Sequence, residues 1–420
     1  MSIQLPYGNG VISVKGLEQA STVDWIQYAP GRLAGAGAND PVSLIRQTLA
    51  STIASPQLSE LARGQSSAVI LISDRSRLCP SYLFLPLLLD SLNEGGIPDT
   101  DIEIIVALGA HRKHTEAELA ELVGDAVVVR GVRVSNHSCL LEDCLRVGTS
   151  SRGTPLEINR RVVETGLIVA TGNIEPHRLV GMSGGVKAII PGAASRECIT
   201  ANHALSQHIQ ATPGHPDNPI HQDLEEVLPL LPPVFLLNLI VTQERTVLGA
   251  VAGDVVLAHR AGVERYRSIF LVPPGAAPYD LVLASAGGHP KDMHLYQAMK
   301  TIQNAAPLVR PGGTIVLAAR CEEGFGNGVL HDWIETIQDR ARMTAMLKQA
   351  FVLGAHKVEQ LDKVLQEKTV FLYSDMPSSL VELTGIRPVP DLEAALRSCV
   401  DSGLRRVAVM PYGALTFADG

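Results

Sequence analysis

The chain reads as an α/β protein of two α/β domains with mostly parallel sheets, and the active site is expected in the cleft between them. Three observations predict this. Short apolar, β-branched runs alternate with helical patterns, the β-α-β rhythm of a parallel sheet covered on both faces. At 420 residues, the chain has room for two or three domains with a sizeable core. The chemically conspicuous segments follow the ends of expected strands, where such sheets place their functional loops.

The elements follow in order. Ala68-Val69-Ile70-Leu71-Ile72 is a buried strand, followed by a loop over 74–80 and an apolar helix over 82–92 that ends at Gly95-Gly96. A second strand covers 102–108, with a helix over 116–122 behind it. Leu167-Ile168-Val169-Ala170 is a third strand. Pro273-Pro274-Gly275 is a turn-rich linker, so residues 1–272 are expected to form one domain and 273–420 another. In the second domain a strand over 279–285 leads into Ala286-Gly287-Gly288-His289-Pro290. A helix over about 292–305, the turn Pro311-Gly312-Gly313, a strand over 314–319 and a late strand at 407–409 complete it.

Composition excludes several classes. With 46% apolar and 19% charged residues the chain is globular. A net charge of −8 without a long Lys/Arg run, and only 4% aromatics, argue against nucleic acid or an anionic membrane as partner. The N-terminus lacks the basic and apolar regions of a signal peptide. The apolar run over 83–89 is too short for a membrane span and carries Pro86. Six scattered cysteines without a Cys-x-x-Cys read as reduced thiols, and a cytoplasmic location is expected.

Three loops carry the candidate chemistry. Asp74 to Arg77 follow the first strand, Gly109-Ala110-His111-Arg112 the second and Gly172 to His177 the third. The third loop runs on through Ser183-Gly184-Gly185-Val186-Lys187, and His203 lies sixteen residues beyond Lys187. These spacings match neither a zinc finger, a His-Glu-x-x-His helix nor a P-loop. The glycine pair permits close backbone approach to a ligand, and lysine is a nucleophile that can carry a covalent cofactor. Taken alone, Lys187 reads more simply as a surface lysine beside a turn. His203 falls off the apolar stripe of a helix capped by Ser195 and reads alone as a half-exposed histidine. His111 and His177 are suited to moving protons near neutral pH. Arg77 and Lys300 are candidate anion binders, and Gln297 shares a helical face with Lys300. His114, His137, His208 and His356 have no comparable context.

Taken together, four segments resemble the nickel-dependent lactate racemase family. They are Ser73-Asp74-Arg75-Ser76-Arg77-Leu78-Cys79-Pro80; Leu108-Gly109-Ala110-His111-Arg112-Lys113-His114-Thr115; the stretch from Gly172 to Gly192 with His203; and Ser285-Ala286-Gly287-Gly288 through Tyr296-Gln297-Ala298-Met299-Lys300. They occur in the family's order and span most of the chain. The resemblance implies a racemase or epimerase that inverts C2 of a 2-hydroxy acid, lactate or another short-chain acid. Its cofactor would be a nickel-pincer nucleotide, a pyridinium-3,5-bisthiocarboxylic acid mononucleotide holding Ni, attached covalently at Lys187. By the same resemblance His203 is the nickel ligand and His111 and His177 are the acid/base pair. Arg77, Gln297 and Lys300 bind substrate, and Asp74, Ser76, Gly184 and Gly185 seat the nucleotide. Reversible hydride transfer to the cofactor, coupled to proton transfer, would then pass through a planar 2-keto acid. Cofactor-synthesis enzymes are implied as partners.

The chain departs from the family pattern at Ser76 and Leu78, where Thr and Pro are expected, and His289 and His294 enrich the second-domain loop. Substrate identity therefore stays open: short aliphatic acids rank first, and sugar acids or dicarboxylic hydroxy acids second. A non-catalytic nickel-nucleotide carrier is an alternative that would not need His111, His177, Arg77 and Lys300 together. A phosphotransferase would need a Walker spacing that is absent.

Overall fold

The computed structural model describes residues 2–27, 40–209, 214–272 and 278–418. It divides into two compact units, Pro30–Ile269 and a second one made of Met1–Ala29 with Phe270–Gly420. The expected linker at Pro273, Pro274 and Gly275 lies outside the described residues.

The first unit is built on a six-stranded sheet. Its spatial order is Val247–Gly253, Val234–Val241, Leu167–Asn173, Ala68–Ile72, Ile102–Val106 and Arg133–Asn136. All pairs are parallel except the edge pair of Val234–Val241 with Val247–Gly253. Every residue of Ala68–Ile72 and Leu167–Asn173 is buried, as expected for central strands covered on both faces. The chain runs outward from Ala68–Ile72 through two strands, then returns to its other side at Leu167–Asn173. The strand order therefore reverses between these two neighbours. A parallel sheet opens a crevice beyond the carboxyl ends at such a switch point, and the loops holding Asp74 and His177 leave from it.

Helices cover the sheet for local reasons. Ser81–Glu94 buries Phe84, Leu85, Leu88, Leu89 and Leu92. Glu116–Val123 starts with a reciprocal cap between Thr115 and Glu118. Arg196–Ala204 starts at Ser195, whose hydroxyl accepts from the Cys198 amide at 3.0 Å. The six cysteines are unbridged. Among the described residues no helix is long and apolar enough to cross a membrane.

The second unit carries another six-stranded sheet, all parallel, in the order Arg387–Pro388, Thr369–Tyr373, Val309–Ala318, Tyr279–Ser285, Arg406–Met410 and Thr22–Trp25. The last strand corrects the expected division of the chain. Residues 2–27 do not join the first unit, because Thr22–Trp25 pairs with Arg406–Met410. The hairpin of Ile3–Tyr7 and Gly10–Val14 buries Ile3, Leu5 and Val14 against Leu281, Leu283, Val407 and Val409.

Two further expectations shift. The helix bearing Gln297 and Lys300 is Leu295–Ala305 and starts later than residue 292, because the His294 ring caps it by accepting from the Gln297 amide at 3.2 Å. Asp292 stays in the preceding loop, where its carboxylate accepts from the Gly8 amide at 2.7 Å. Pro311-Gly312-Gly313, expected as a turn, lies inside the strand Val309–Ala318. There the pairing with Tyr279–Ser285 slips register between Tyr279 and Leu281.

The hairpin's contribution is testable. Leu5→Ala should destabilise the second unit by about 2–5 kcal/mol through the lost transfer and cavity terms. Amide hydrogen exchange should rise across Tyr279–Ser285 and Arg406–Met410. A rise confined to Ala68–Ile72 and its sheet would refute the assignment of the N-terminus.

Candidate active site

The loop after Ala68–Ile72 is organised around one carboxylate. Asp74 is 5% exposed, and its Oδ1 accepts from the Ser76 amide at 2.7 Å and from the Ser76 hydroxyl. Its Oδ2 faces Nδ1 of His111, at the end of the neighbouring strand, at 2.9 Å. Burial alone would push the Asp74 pKa up. The charge and hydrogen bond of His111, with Arg77 and Ser76, override it and hold the carboxyl well below the usual carboxylate range. The carboxylate in turn fixes the imidazole: Nδ1 donates to Asp74, so Nε2 is the nitrogen available for proton exchange. Sequence reasoning gave Asp74 a nucleotide-seating role and missed this partnership.

The His111 loop is stitched to its neighbours on both sides. The Gly109 amide donates to Gly192 O at 2.9 Å, and Gly192 N donates back to Lys187 O at 3.2 Å. Gly109 has φ +56°, and a Cβ there would stand 3.2 Å from Pro191 O. On the other side His114 accepts from the Arg75 amide through Nε2 at 3.1 Å, while its backbone exchanges two 2.9 Å bonds with the Asn136 side chain. Burial lowers the His114 pKa, which suits the neutral ring this bond requires. Arg75 and Arg112 both pair with Glu118 at 2.8 Å. His114, read from the sequence as ordinary, thus joins the loop of Asp74 to that of His111.

The third loop holds the remaining residues of this unit. Arg77 pairs with the buried Glu175 at 3.7 Å. Ser183 bridges the base of the loop: its hydroxyl donates to Asn173 O at 2.8 Å and accepts from the Glu175 amide at 2.9 Å. His177 lies in a two-residue strand paired with Gly181–Met182. Its Nδ1 accepts from the Leu179 and Val180 amides at 3.4 Å each, which puts the proton of the neutral ring on Nε2.

Gly184 and Gly185 take φ +85° and +57°, a region that strains any side chain. The turn lets the Gly185 amide donate to Oδ1 of the buried Asn238, on the adjacent strand, at 2.7 Å. A Cβ on Gly185 would come 2.8 Å from the His259 ring. Lys187 follows, half-buried, in the short 3-10 turn Gly185–Ala188.

His259 and His221 are the residues that sequence reasoning did not find here. Both are fully buried, and their rings stack 5.2 Å apart at 6°. His259 Nε2 donates to Ser183 O at 2.8 Å, and its Nδ1 accepts from Arg260 at 3.2 Å. Burial, then the neighbouring His221, hold its pKa well below the ordinary histidine value, so the ring is a neutral donor. His221 Nδ1 donates to Val180 O at 3.1 Å. The stacked pair therefore clamps the loop between His177 and Lys187 at two carbonyls.

His203 is half-buried in the last turn of Arg196–Ala204. Its neighbour Asn202 is buried and donates to Asp223 at 2.8 Å, and Asp223 also accepts from Thr154 at 2.6 Å and from Ser150. That buried network fixes the helix. Gln297 and Lys300 belong to the second unit, Gln297 buried and Lys300 half-buried on one helix. His294, one of the two histidines that enrich the second-domain loop, serves as the cap of that helix. The structure thus connects Asp74, Ser76, Arg77 and His111 with the segment carrying His177, Gly184, Gly185 and Lys187.

Two family models match the chain. Residues 16–214 match the lactate racemase N-terminal domain and residues 275–415 the lactate racemase C-terminal domain. The lactate racemase of Thermoanaerobacterium thermosaccharolyticum is 34% identical over 299 residues, 70% of this chain and 70% of that protein. The lactate racemase of Lactiplantibacillus plantarum is 31% identical over 341 residues, 79% of this chain and 78% of that one. The lactate racemase apoprotein structure from T. thermosaccharolyticum superposes with a TM-score of 0.87 at 29% identity, covering all of both chains. A Thermotoga maritima protein shares the fold at TM-score 0.71 and 19% identity, over 89% of this chain and 98% of that one.

Asp74 gives a pH signature. Its folded pKa lies below the unfolded value of about 3.9. Its charge therefore stabilises the fold above that pH, and the contribution is lost as pH falls through the folded value. In urea titrations the stability gap between wild type and Asp74→Asn should be constant over about pH 6–8 and shrink below about pH 4. A gap independent of pH would refute the stabilisation of the buried Asp74 carboxylate by His111, Arg77 and Ser76.

Proposed function

The chain belongs to the lactate racemase family, and we propose that it inverts the C2 stereocentre of a 2-hydroxy acid, lactate or another short-chain acid, as a nickel-dependent isomerase. One observation carries this reading beyond family membership. A carboxylate-oriented histidine, His111, and a second histidine, His177, stand in loops that flank the Asp74 loop at the carboxyl edge of one sheet, beside a clamped turn that presents a lysine. A non-catalytic carrier of the nucleotide would not need the Asp74–His111 pair.

The residues fit a nickel-pincer nucleotide. Lys187 offers a primary amine on a turn fixed at Gly185, and His203 offers a borderline nitrogen donor suited to nickel. Among the described residues no group of three or more His, Cys, Asp or Glu is arranged to hold a metal ion. The proposal therefore needs the nucleotide's own sulfur arms as the other ligands. When bound, the group supplies a reversible hydride acceptor for the α-hydrogen.

The chain's own residues do the rest. Nε2 of His111, with Nδ1 committed to Asp74, accepts the substrate hydroxyl proton. His177 donates from Nε2 as an imidazolium, its two long amide contacts at Nδ1 giving way when that nitrogen is protonated, and it is neutral when it accepts. One group accepts and the other donates, and their roles exchange when the opposite enantiomer is bound. Arg77 retains donors beyond its bond to Glu175 and holds the substrate carboxylate. Gln297 and Lys300 contribute further polar contacts to substrate. Asp74 and Ser76, with the backbone at Gly184 and Gly185, seat the nucleotide, and cofactor-synthesis enzymes supply it.

Single enantiomers of 2-hydroxy acids, followed by chiral chromatography, test the reading. C2-deuterated substrate should racemise with retention of deuterium. Deuterium replaced by solvent hydrogen in every product would eliminate hydride transfer. His111→Ala and His177→Ala should each lose roughly 10²–10⁴-fold in rate, the worth of one positioned acid/base, and wild-type turnover in both would remove the two-histidine mechanism.

A further inference from the structure

Arg178 follows His177 in the turn between the paired strands Pro176–His177 and Gly181–Met182. The root of its side chain is fixed. His177 Nδ1 takes the next two amides, His221 holds Val180 O, and the Gly214 amide donates to Gly181 O at 3.0 Å. Arg178 is half-buried, and burial is the sole influence on its guanidinium, which it draws below the ordinary arginine value. Among the described residues no carboxylate or other acceptor engages it. Arg77, Arg130, Arg161 and Arg260 are also half-buried in this unit, and each faces a carboxylate.

A covered guanidinium without a counter-ion is unfavourable, and arginine does not escape by shedding its proton. Its fork of donors matches a planar oxyanion. Two anions come near the proposed site, a carboxylate of the substrate and the phosphate of the nucleotide. The chain position favours the first, because Arg178 adjoins the acid/base His177, whereas the proposed nucleotide seat is formed by Asp74, Ser76, Gly184 and Gly185. We propose that Arg178 is a specificity-determining residue that binds a second carboxylate of the substrate, so that the preferred substrates are dicarboxylic 2-hydroxy acids. This rests on the reading of the site as one for 2-hydroxy acids. It narrows that class, because Arg77 serves the carboxylate next to the reacting carbon and Arg178 a carboxylate at the far end of a short chain.

Arg178→Gln and Arg178→Lys separate the possibilities. Protein made without the cofactor-synthesis enzymes is titrated calorimetrically with malate, lactate and inorganic phosphate. Wild type should bind malate at least about tenfold more tightly than lactate, the worth of one charge-assisted pair. The ratio should fall to about one in Arg178→Gln and recover in part in Arg178→Lys. Removing an unpaired, half-buried charge should leave Tm equal to wild type or higher. A ratio unchanged by Arg178→Gln overturns the proposal, and so does a lowered Tm, which would reveal a structural partner. Loss of phosphate binding with the malate preference intact assigns Arg178 to the phosphate and also overturns it. Loaded enzyme that inverts no 2-hydroxy acid would defeat the functional reading by itself, while the binding titrations still decide the role of Arg178.

Discussion

The 2.7 Å hydrogen bond from the Gly185 amide to the buried Asn238 side chain is the constraint on which the site depends. It ties a turn of left-handed glycines to a central strand, where a side chain at either glycine is strained. The segment before the turn is clamped at Ser183 O and Val180 O by His259 and His221. The segment after it is tied to the His111 loop through Gly192 and Gly109. A shift at Gly185 would therefore move Lys187, His177 and His111 together. Positioning of this kind matters because misplacement by about 1 Å can cost catalysis 10²-fold.

Electrostatics reinforce the geometry. Asp74 stays ionised despite burial because His111, Arg77 and Ser76 surround it. Glu175, 1% exposed, faces Arg77 across the same crevice. Buried carboxylates paired with a histidine and an arginine arrange donors before any ligand arrives, so little reorganisation is left for binding. His259 works in the opposite sense. Burial keeps it neutral, and a neutral ring can donate at one nitrogen while accepting from Arg260 at the other.

Much of this was legible in the sequence, for identifiable reasons. Buried parallel strands are continuous apolar runs, so Ala68–Ile72 and the start of Leu167–Asn173 stood out. Ser195 was readable as a cap because capping is local. Asp74, His111 and His177 stood out as candidates because each lies in a loop that follows a strand end. What escaped was non-local. Asp74 and His111 meet only because their strands are adjacent in the sheet. His221 and His259 lie in helices, where a histidine looks like any polar residue, and their stacking depends on how those helices pack. Thr22–Trp25 pairs with a strand from the far end of the chain, and no local pattern announces that. His294 stood out only as an extra histidine of the second-domain loop, and its ring caps a helix.

In the proposed function the clamped turn presents Lys187 for covalent attachment of a nickel nucleotide. Peptide mapping by mass spectrometry, on protein made together with the cofactor-synthesis enzymes and shown to racemise a 2-hydroxy acid, tests it most directly. The expected result is a nucleotide adduct on Lys187, present in the active preparation and absent from protein made without those enzymes. An active preparation whose Lys187 is unmodified would contradict it.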